Sequence, residues 1–216
     1  MRVNRLHKES ISQTLWDILV ELMLIPELSC FRLVGGTSLS LQLGHRMSVD
    51  IDLFTDAAYS SIDFNRIDDV LIKTFPYVET LYKGSDSFGK SYFIGYNASD
   101  IIKVDLFYTD KFIRPYITKE NIRLATLEEI AAMKMEVIGH NGRKKDFWDL
   151  HEIFEFLSLD EVLNLYIERY PYSYTKEELI VKLNNFSFAD DDFNPICLKG
   201  KYWELIKSDI FELTHK

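Results

Sequence analysis

Cysteine is almost missing. Cys30 and Cys197 are the only two in 216 residues and lie far apart, so neither a disulfide framework nor a cysteine metal cluster holds this chain together. Reduced thiols, and with them a cytoplasmic protein, are the expectation. Glycine and proline are sparse at nine and five against 47% apolar residues, which excludes a disordered or low-complexity chain. Basic residues are in deficit, 25 Lys+Arg to 34 Asp+Glu for a net charge of −9, so a uniformly basic surface is excluded and any nucleic-acid contact must be local. Long hydrophobic runs are missing too: residues 11–24 carry Asp17 and Glu21 and follow Arg5, His7, Lys8 and Glu9, which fits neither a signal peptide nor a membrane span. No internal repeat occurs, and the acidic triplet Asp190, Asp191, Asp192 reads as a solvated loop.

What is present divides into two styles. Ile11, Leu15, Ile18, Leu19, Leu22 and Met23 recur at helical intervals and predict an amphipathic helix stopping before Pro26. Residues 30–34 predict a buried strand running into Gly35 and Gly36, 37–43 a short helix, 49–54 an alternating strand and 62–75 a helix. Strands are expected at 77–82, 91–96 and 101–108, with breaks at Gly84, Ser85 and 97–100. From Thr126 the pattern turns helical: Thr126 and Glu129 form a capping-box pair, and helices are expected at 126–139, 143–157, 159–169, 175–185 and 202–212. The chain is therefore read as α+β, with a boundary near 115–125, around Pro115.

Asp50 and Asp52 stand two apart in a predicted strand whose other face is Val49, Ile51 and Leu53, so both carboxylates project to one side. Two carboxylates a few ångströms apart repel by about 4 kcal/mol at an effective dielectric near 20. A divalent cation removes that cost, and all-oxygen ligands favour Mg²⁺ or Mn²⁺ over zinc. Two solvated acids on an edge strand would explain a bare Asp-x-Asp equally well. Asp105, between Val104 and Leu106, adds an acid on a second strand; if the strands are neighbours, three carboxylates converge as phosphoryl transfer on metal ions requires. Upstream, Gly35 and Gly36 end a strand while Thr37 and Ser38 open a helix, offering backbone N–H groups and hydroxyls to a phosphate. The run is neither a Walker loop nor Gly-x-Gly-x-x-Gly, and alone it reads as a turn and helix cap.

The segment from Gly35-Gly36-Thr37-Ser38 through His45-Arg46-Met47-Ser48 to Asp50-Ile51-Asp52-Leu53-Phe54 resembles the signature of the AbiEii/AbiGii toxin family of nucleotidyltransferases. So, further on, do Lys134, Asn141-Gly142-Arg143 and Lys145-Asp146-Phe147-Trp148-Asp149-Leu150, which resemble the family's lysine and its Arg/Lys-Asp-x-x-Asp-Leu motif. The resemblance implies a polymerase β-like nucleotidyltransferase core over residues 1–120, a helical C-terminal domain over 121–216, and a toxin of type IV toxin–antitoxin or phage-defence systems. It implies an NTP substrate, Mg²⁺ or Mn²⁺ as cofactor, the 3′ end of tRNA as acceptor, and an antitoxin partner. Laid onto this sequence, it places Gly36 and Thr37 in a phosphate-binding turn that Gly35 and Ser38 flank, Ser48 as an essential hydroxyl, Asp50 and Asp52 as metal-binding acids with Asp105 as the third, and Lys134 as a lysine on the nucleotide phosphates. Either Asp146 or Asp149 matches the required late acid. A small-molecule acceptor, or a nucleotide-binding protein without turnover, would use the same residues.

The residues of the later motif carry their own reading. Lys134 falls beside the apolar face of its helix, where its ammonium must snorkel or meet an anion. Asp146 and Asp149, three apart, flank the stripe Phe147, Leu150, Phe154 and need a partner, for which Lys134 or Arg143 serves; a structural salt bridge is the plainer account. His45 reads as structural, while the planar Arg46 suits phosphate or carboxylate equally. The basic run Arg143, Lys144, Lys145 and the N-terminal Arg2, Arg5 and Lys8 could meet RNA phosphates, although short charge runs are commonly solvated faces.

Overall fold

A computed structural model describes residues 5–80 and 88–215. Arg2, Gly84, Ser85 and the end of the strand expected at 77–82 lie outside the described residues. Ser12 opens helix α1 (Gln13–Leu24) by accepting the Leu15 N–H at 3.1 Å, and the stripe Leu15, Ile18, Leu19, Leu22, Met23 is buried. Ile25, extended ahead of Pro26, ends it. The chain continues through β1 (Arg32–Leu33), α2 (Gly35–Leu43), β2 (Asp50–Thr55), α3 (Phe64–Thr74), β3 (Tyr77–Thr80), β4 (Gly89–Asn97), β5 (Asp100–Tyr108), β6 (Ile117–Lys119) and β7 (Ile122–Leu124). Helices α4 (Leu127–Gly139), α5 (Lys144–Ile153), α6 (Leu159–Arg169), α7 (Lys176–Leu183), α8 (Ser187–Asp190) and α9 (Trp203–Thr214) complete it. The fold is α+β, and no helix among the described residues is long and apolar enough to cross a membrane.

One mixed sheet runs in the order β3-β4-β5-β2-β1-β7-β6. Period-two alternation gives it two unlike faces. Ile51 and Leu53 of β2 and Val104 and Leu106 of β5 are fully buried in a cluster with α1 and α3. The residues between them, Asp50, Asp52 and Phe54 with Lys103, Asp105 and Phe107, therefore share the opposite face. That face is where α2 and the later helices gather, since Val34, Leu39 and Phe54 pack in a second cluster with α4, α5, α6, α7 and α9.

Several expectations change. Helix α2 begins at Gly35 rather than at 37, and β1 is reduced to two residues. The connector expected around 115–125 holds a hairpin, β6 and β7, turning through Glu120 and Asn121 at φ +48° and +65°; it brings residues 122–124, past the anticipated boundary at 120, into the sheet beside β1. Thr126 caps α4 by accepting the Glu129 N–H at 3.3 Å, but Glu129 does not reach back. Its carboxylate is buried and accepts the N–H groups of Ile113 (2.9 Å) and Arg114 (3.0 Å) and a hydrogen bond from Arg169 of α6. The acidic triplet is exposed at Asp190 and Asp191, as expected, but it is tied: Asp190 accepts from Trp203 Nε1 (2.7 Å) and Lys207 (2.8 Å), and Asp192 accepts the Lys144 N–H at 3.2 Å.

The Glu129–Arg169 pair is wholly buried and ties the helices to the chain leaving β5. Truncating one partner strands the other charge in a low dielectric, so Glu129→Ala is expected to cost about 3–5 kcal/mol of unfolding free energy. Urea unfolding of the variant beside the parent measures it; a loss below ~1 kcal/mol would show that the pair is solvent-relieved.

Candidate active site

The parallel pairing of β2 with β5 sets Asp52 directly opposite Asp105 and Asp50 opposite Lys103. The three acids thus lie on one face of adjacent strands. Lys103, two residues before Asp105 on the same face, gives its ammonium to Asp105 Oδ2, while Asp105 Oδ1 is buried with no hydrogen-bond partner. Burial, then the neighbouring Asp105 and Asp50 carboxylates, push the Asp52 carboxyl up to about 6, against the pull of Lys134 and Lys103. Among the described residues no three acid, histidine or cysteine side chains stand gathered as a finished cation site. The donor set nonetheless fits a hard divalent cation: oxygen donors only, a buried carboxylate oxygen without a partner, and an aspartate whose carboxyl is raised by burial and by its neighbours' charge.

The turn before α2 is fitted to these acids. Gly35 sits at φ +66°, and a Cβ there would stand 2.7 Å from Asp52 Oδ2, so both conformation and space demand glycine. Val34 pairs with the same strand, its N–H donating to the Asp52 carbonyl at 2.9 Å. The first helical bond of α2 runs from Ser38 N–H to Val34, leaving the amides of Gly36 and Thr37 ahead of it. The Thr37 hydroxyl donates to the Asp50 carbonyl and lies 2.8 Å from Ser48 Oγ, binding helix to strand. Ser38 faces the interior instead, fully buried, with its hydroxyl accepting from Gln42 at 3.2 Å.

Asp149 of α5 is the centre of a buried charge cluster. Arg46 clasps it with Nε (2.6 Å) and Nη2 (2.8 Å), His45 donates from Nε2 at 2.7 Å, and Lys134 of α4 reaches its other oxygen at 2.6 Å. Although burial alone would raise it, Arg46 and Lys134 hold the Asp149 carboxyl well below the usual range, so it stays ionised and can only accept. Lys134 also donates to Asp146 Oδ1 at 2.7 Å; burial would lower its pKa, yet the two aspartates raise it. Asp146 Oδ2 accepts the Arg143 N–H at 3.0 Å and so caps α5. Of the two late acids, Asp149 thus takes four hydrogen bonds or ion contacts from the first half and α4, whereas Asp146 links α4 to its own helix. The Arg143 side chain stays exposed, 3.8 Å from Asp146.

The cluster reaches the glycine turn through Arg46, because a Cβ on Gly36 would overlap its Nη2. The 45–47 segment is clamped from outside as well: Met47 N–H donates to Ile196 and Leu198 N–H to His45, closing a bridge between Arg46 and Cys197. The structure accordingly gathers Gly35, Gly36, Thr37, Ser48, Asp50, Asp52 and Asp105 at one end of α2 and Arg46, Lys134, Asp146 and Asp149 behind it. Lys103 was overlooked in the sequence, although strict alternation from Asp105 already placed it on the acid face.

Because the Asp52 carboxyl binds its proton more tightly folded (about 6) than at its ordinary 3.8, its contribution to stability is complete below pH 4 and is lost as pH rises through 6. In chelator-treated protein, Asp52→Asn is expected to be more stable than the parent by up to ~3 kcal/mol at pH 8, with the gap closing toward pH 4. Urea unfolding at pH 4, 6 and 8 reads the difference; a gap that ignores pH contradicts the shifted acid.

Residues 17–216 match the family model described as nucleotidyl transferase AbiEii toxin, type IV toxin–antitoxin system. An uncharacterised protein of Aquifex aeolicus (strain VF5) is 34% identical over 187 residues, 84% of this chain and 78% of its own. Among solved structures, MenT4, a nucleotidyltransferase toxin of Mycobacterium tuberculosis H37Rv, aligns over 94% of this chain and 83% of its own at a TM-score of 0.57 and 14% identity. An H. pylori protein named as a nucleotidyltransferase aligns over 97% and 92% at a TM-score of 0.55 and 16% identity. At those identities the two structures speak for the fold, while the family match extends from within α1 to the last residue: this chain belongs to the AbiEii family of nucleotidyl transferase toxins of type IV toxin–antitoxin systems.

Proposed function

We propose that this nucleotidyltransferase moves a nucleoside monophosphate from an NTP onto a hydroxyl at the 3′ end of RNA, with tRNA as the acceptor, and that it does so on divalent metal. The observation that carries the reading is the register pair Asp52–Asp105 with Asp50 beside it, placed against a glycine turn that opens a helix. Mg²⁺ or Mn²⁺ held by Asp50, Asp52 and Asp105 would supply charge neutralisation on the phosphates and a more acidic acceptor hydroxyl. Lys103 keeps Asp105 neutralised until then. The amides of Gly36 and Thr37 would face phosphate oxygens, as helix N-termini do. Thr37 and Ser48 fix the turn to β2, so the amides and the acids keep one geometry. Lys134 and Arg46 act from behind: locked on Asp146 and Asp149, they hold the halves in register and lend positive potential to the phosphate side.

In this reading labour divides between the sheet, which carries the acids, and the later helices, which pack on the same face through the second apolar cluster. Support for RNA comes from the family and from the exposed Arg143 beside the cluster; Lys144 is turned inward against Trp203 and the Asp190 carbonyl. NTP and tRNA as substrates fit the cytoplasm, and family membership brings an antitoxin as partner.

Incubation with labelled NTPs, Mg²⁺ and total RNA is expected to place label in RNA, and Asp50→Ala to reduce it on the order of 10³-fold or more with an unchanged unfolding midpoint. Equal incorporation by the variant would end the assignment. Label recovered in small molecules instead would overturn the RNA acceptor and keep the transfer.

A further inference from the structure

Nearly every cation around the glycine turn is already spent. Arg46 is clasped to Asp149 and to the Met47 carbonyl, Lys134 to Asp146 and Asp149, His45 to Asp149, Lys103 to Asp105, and Lys144 to the Asp190 carbonyl. Lys145 is the exception: half-buried, its side chain makes no hydrogen bond or ion pair among the described residues. Its place is informative. On α5 it stands four residues before Asp149 and so on the same helical face, the one that meets Arg46 and, through Arg46, Gly36. Helical side chains lean toward the N-terminus, so Lys145 extends past Asp149 on that face.

We infer that Lys145 is the side chain that grips the triphosphate of the NTP, while Lys134, the lysine expected for that task, is a positioning residue. The inference rests on the nucleotidyltransferase reading above. Burial and the positive charges of Arg143, Arg46 and Lys134 all press on the Lys145 ammonium and lower its pKa, with Asp146 the opposing charge. A half-desolvated cation among cations, without a carboxylate of its own, is a cost that a bound polyanion removes. The triphosphate is the most densely charged anion this reaction brings to the turn, and a lysine on a flexible stem suits it as a point charge.

The test uses the full-length protein, titrating ATP, CTP, GTP and UTP with Mg²⁺ in a calorimeter and then measuring KM for NTP and for RNA. Lys145→Ala is expected to weaken the preferred NTP at least tenfold, to leave the corresponding NMP, the KM for RNA and the unfolding midpoint unchanged, and to be largely restored by Lys145→Arg. Equal NTP affinity in parent and Lys145→Ala, or a shift confined to RNA, overturns this inference alone. A parent that binds no NTP overturns the functional reading and this inference with it.

Discussion

A single carboxylate decides how the two halves of this molecule meet. Asp149 is fully buried and would be forbidden there as an isolated charge, yet it is ionised because Arg46, His45 and Lys134 converge on it from two other segments. Such a cluster has one satisfactory arrangement. Shift α5 by a turn and Arg46 and Lys134 are left as buried cations without a partner, a far greater cost than any local repacking recovers. The position of α5 against the loop that enters β2 is therefore fixed electrostatically, and the Arg46 guanidinium in turn occupies the space that a side chain at Gly36 would need.

From that constraint the rest of the site follows in short steps. The loop held by Arg46 feeds straight into β2, so the Asp50–Asp52 face is set by the same clasp that sets the helix N-terminus. Thr37 and Ser48 close the triangle between helix and strand. The sheet supplies the remaining precision: parallel pairing admits one register, and a slip by a single residue would turn Asp105 into the hydrocarbon under α1. Acids on one face and aliphatics on the other thus make the register and the site two consequences of one alternation.

Much of this is legible in the sequence, and the reasons differ by residue. The acids were readable because a strand's period is two, and the helices from 126 onward because caps and apolar stripes agreed. The hairpin at 117–124 was not, since its turn uses Glu120 and Asn121 at positive φ where glycine would have announced it. Glu129 had the spacing of a capping box, but the spacing is silent about the competing donors Ile113, Arg114 and Arg169, which lie far off in sequence and win because they are buried. The choice between Asp146 and Asp149 was equally closed to sequence: both are three-apart neighbours on one helix, and only the approach of His45 and Arg46, a hundred residues upstream, separates them.

The net charge of −9 also takes on a definite meaning once it is placed. An acidic surface opposes polyanions in general, so binding of nucleotide must be won locally, and within the site the carboxylates outnumber what the cations can spare. Asp146 and Asp149 consume Lys134, His45 and Arg46, and Asp105 consumes Lys103. Among the described residues, what stays uncommitted includes a turn of backbone amides, the Asp52 carboxyl, raised to about 6, and Lys145. Under the proposed reading, anions would be met by directed donors over a few ångströms and not by a long-range field, so that a compact polyanion with its divalent counter-ion suits the turn and an RNA acceptor would be engaged at its 3′ end and not along its backbone.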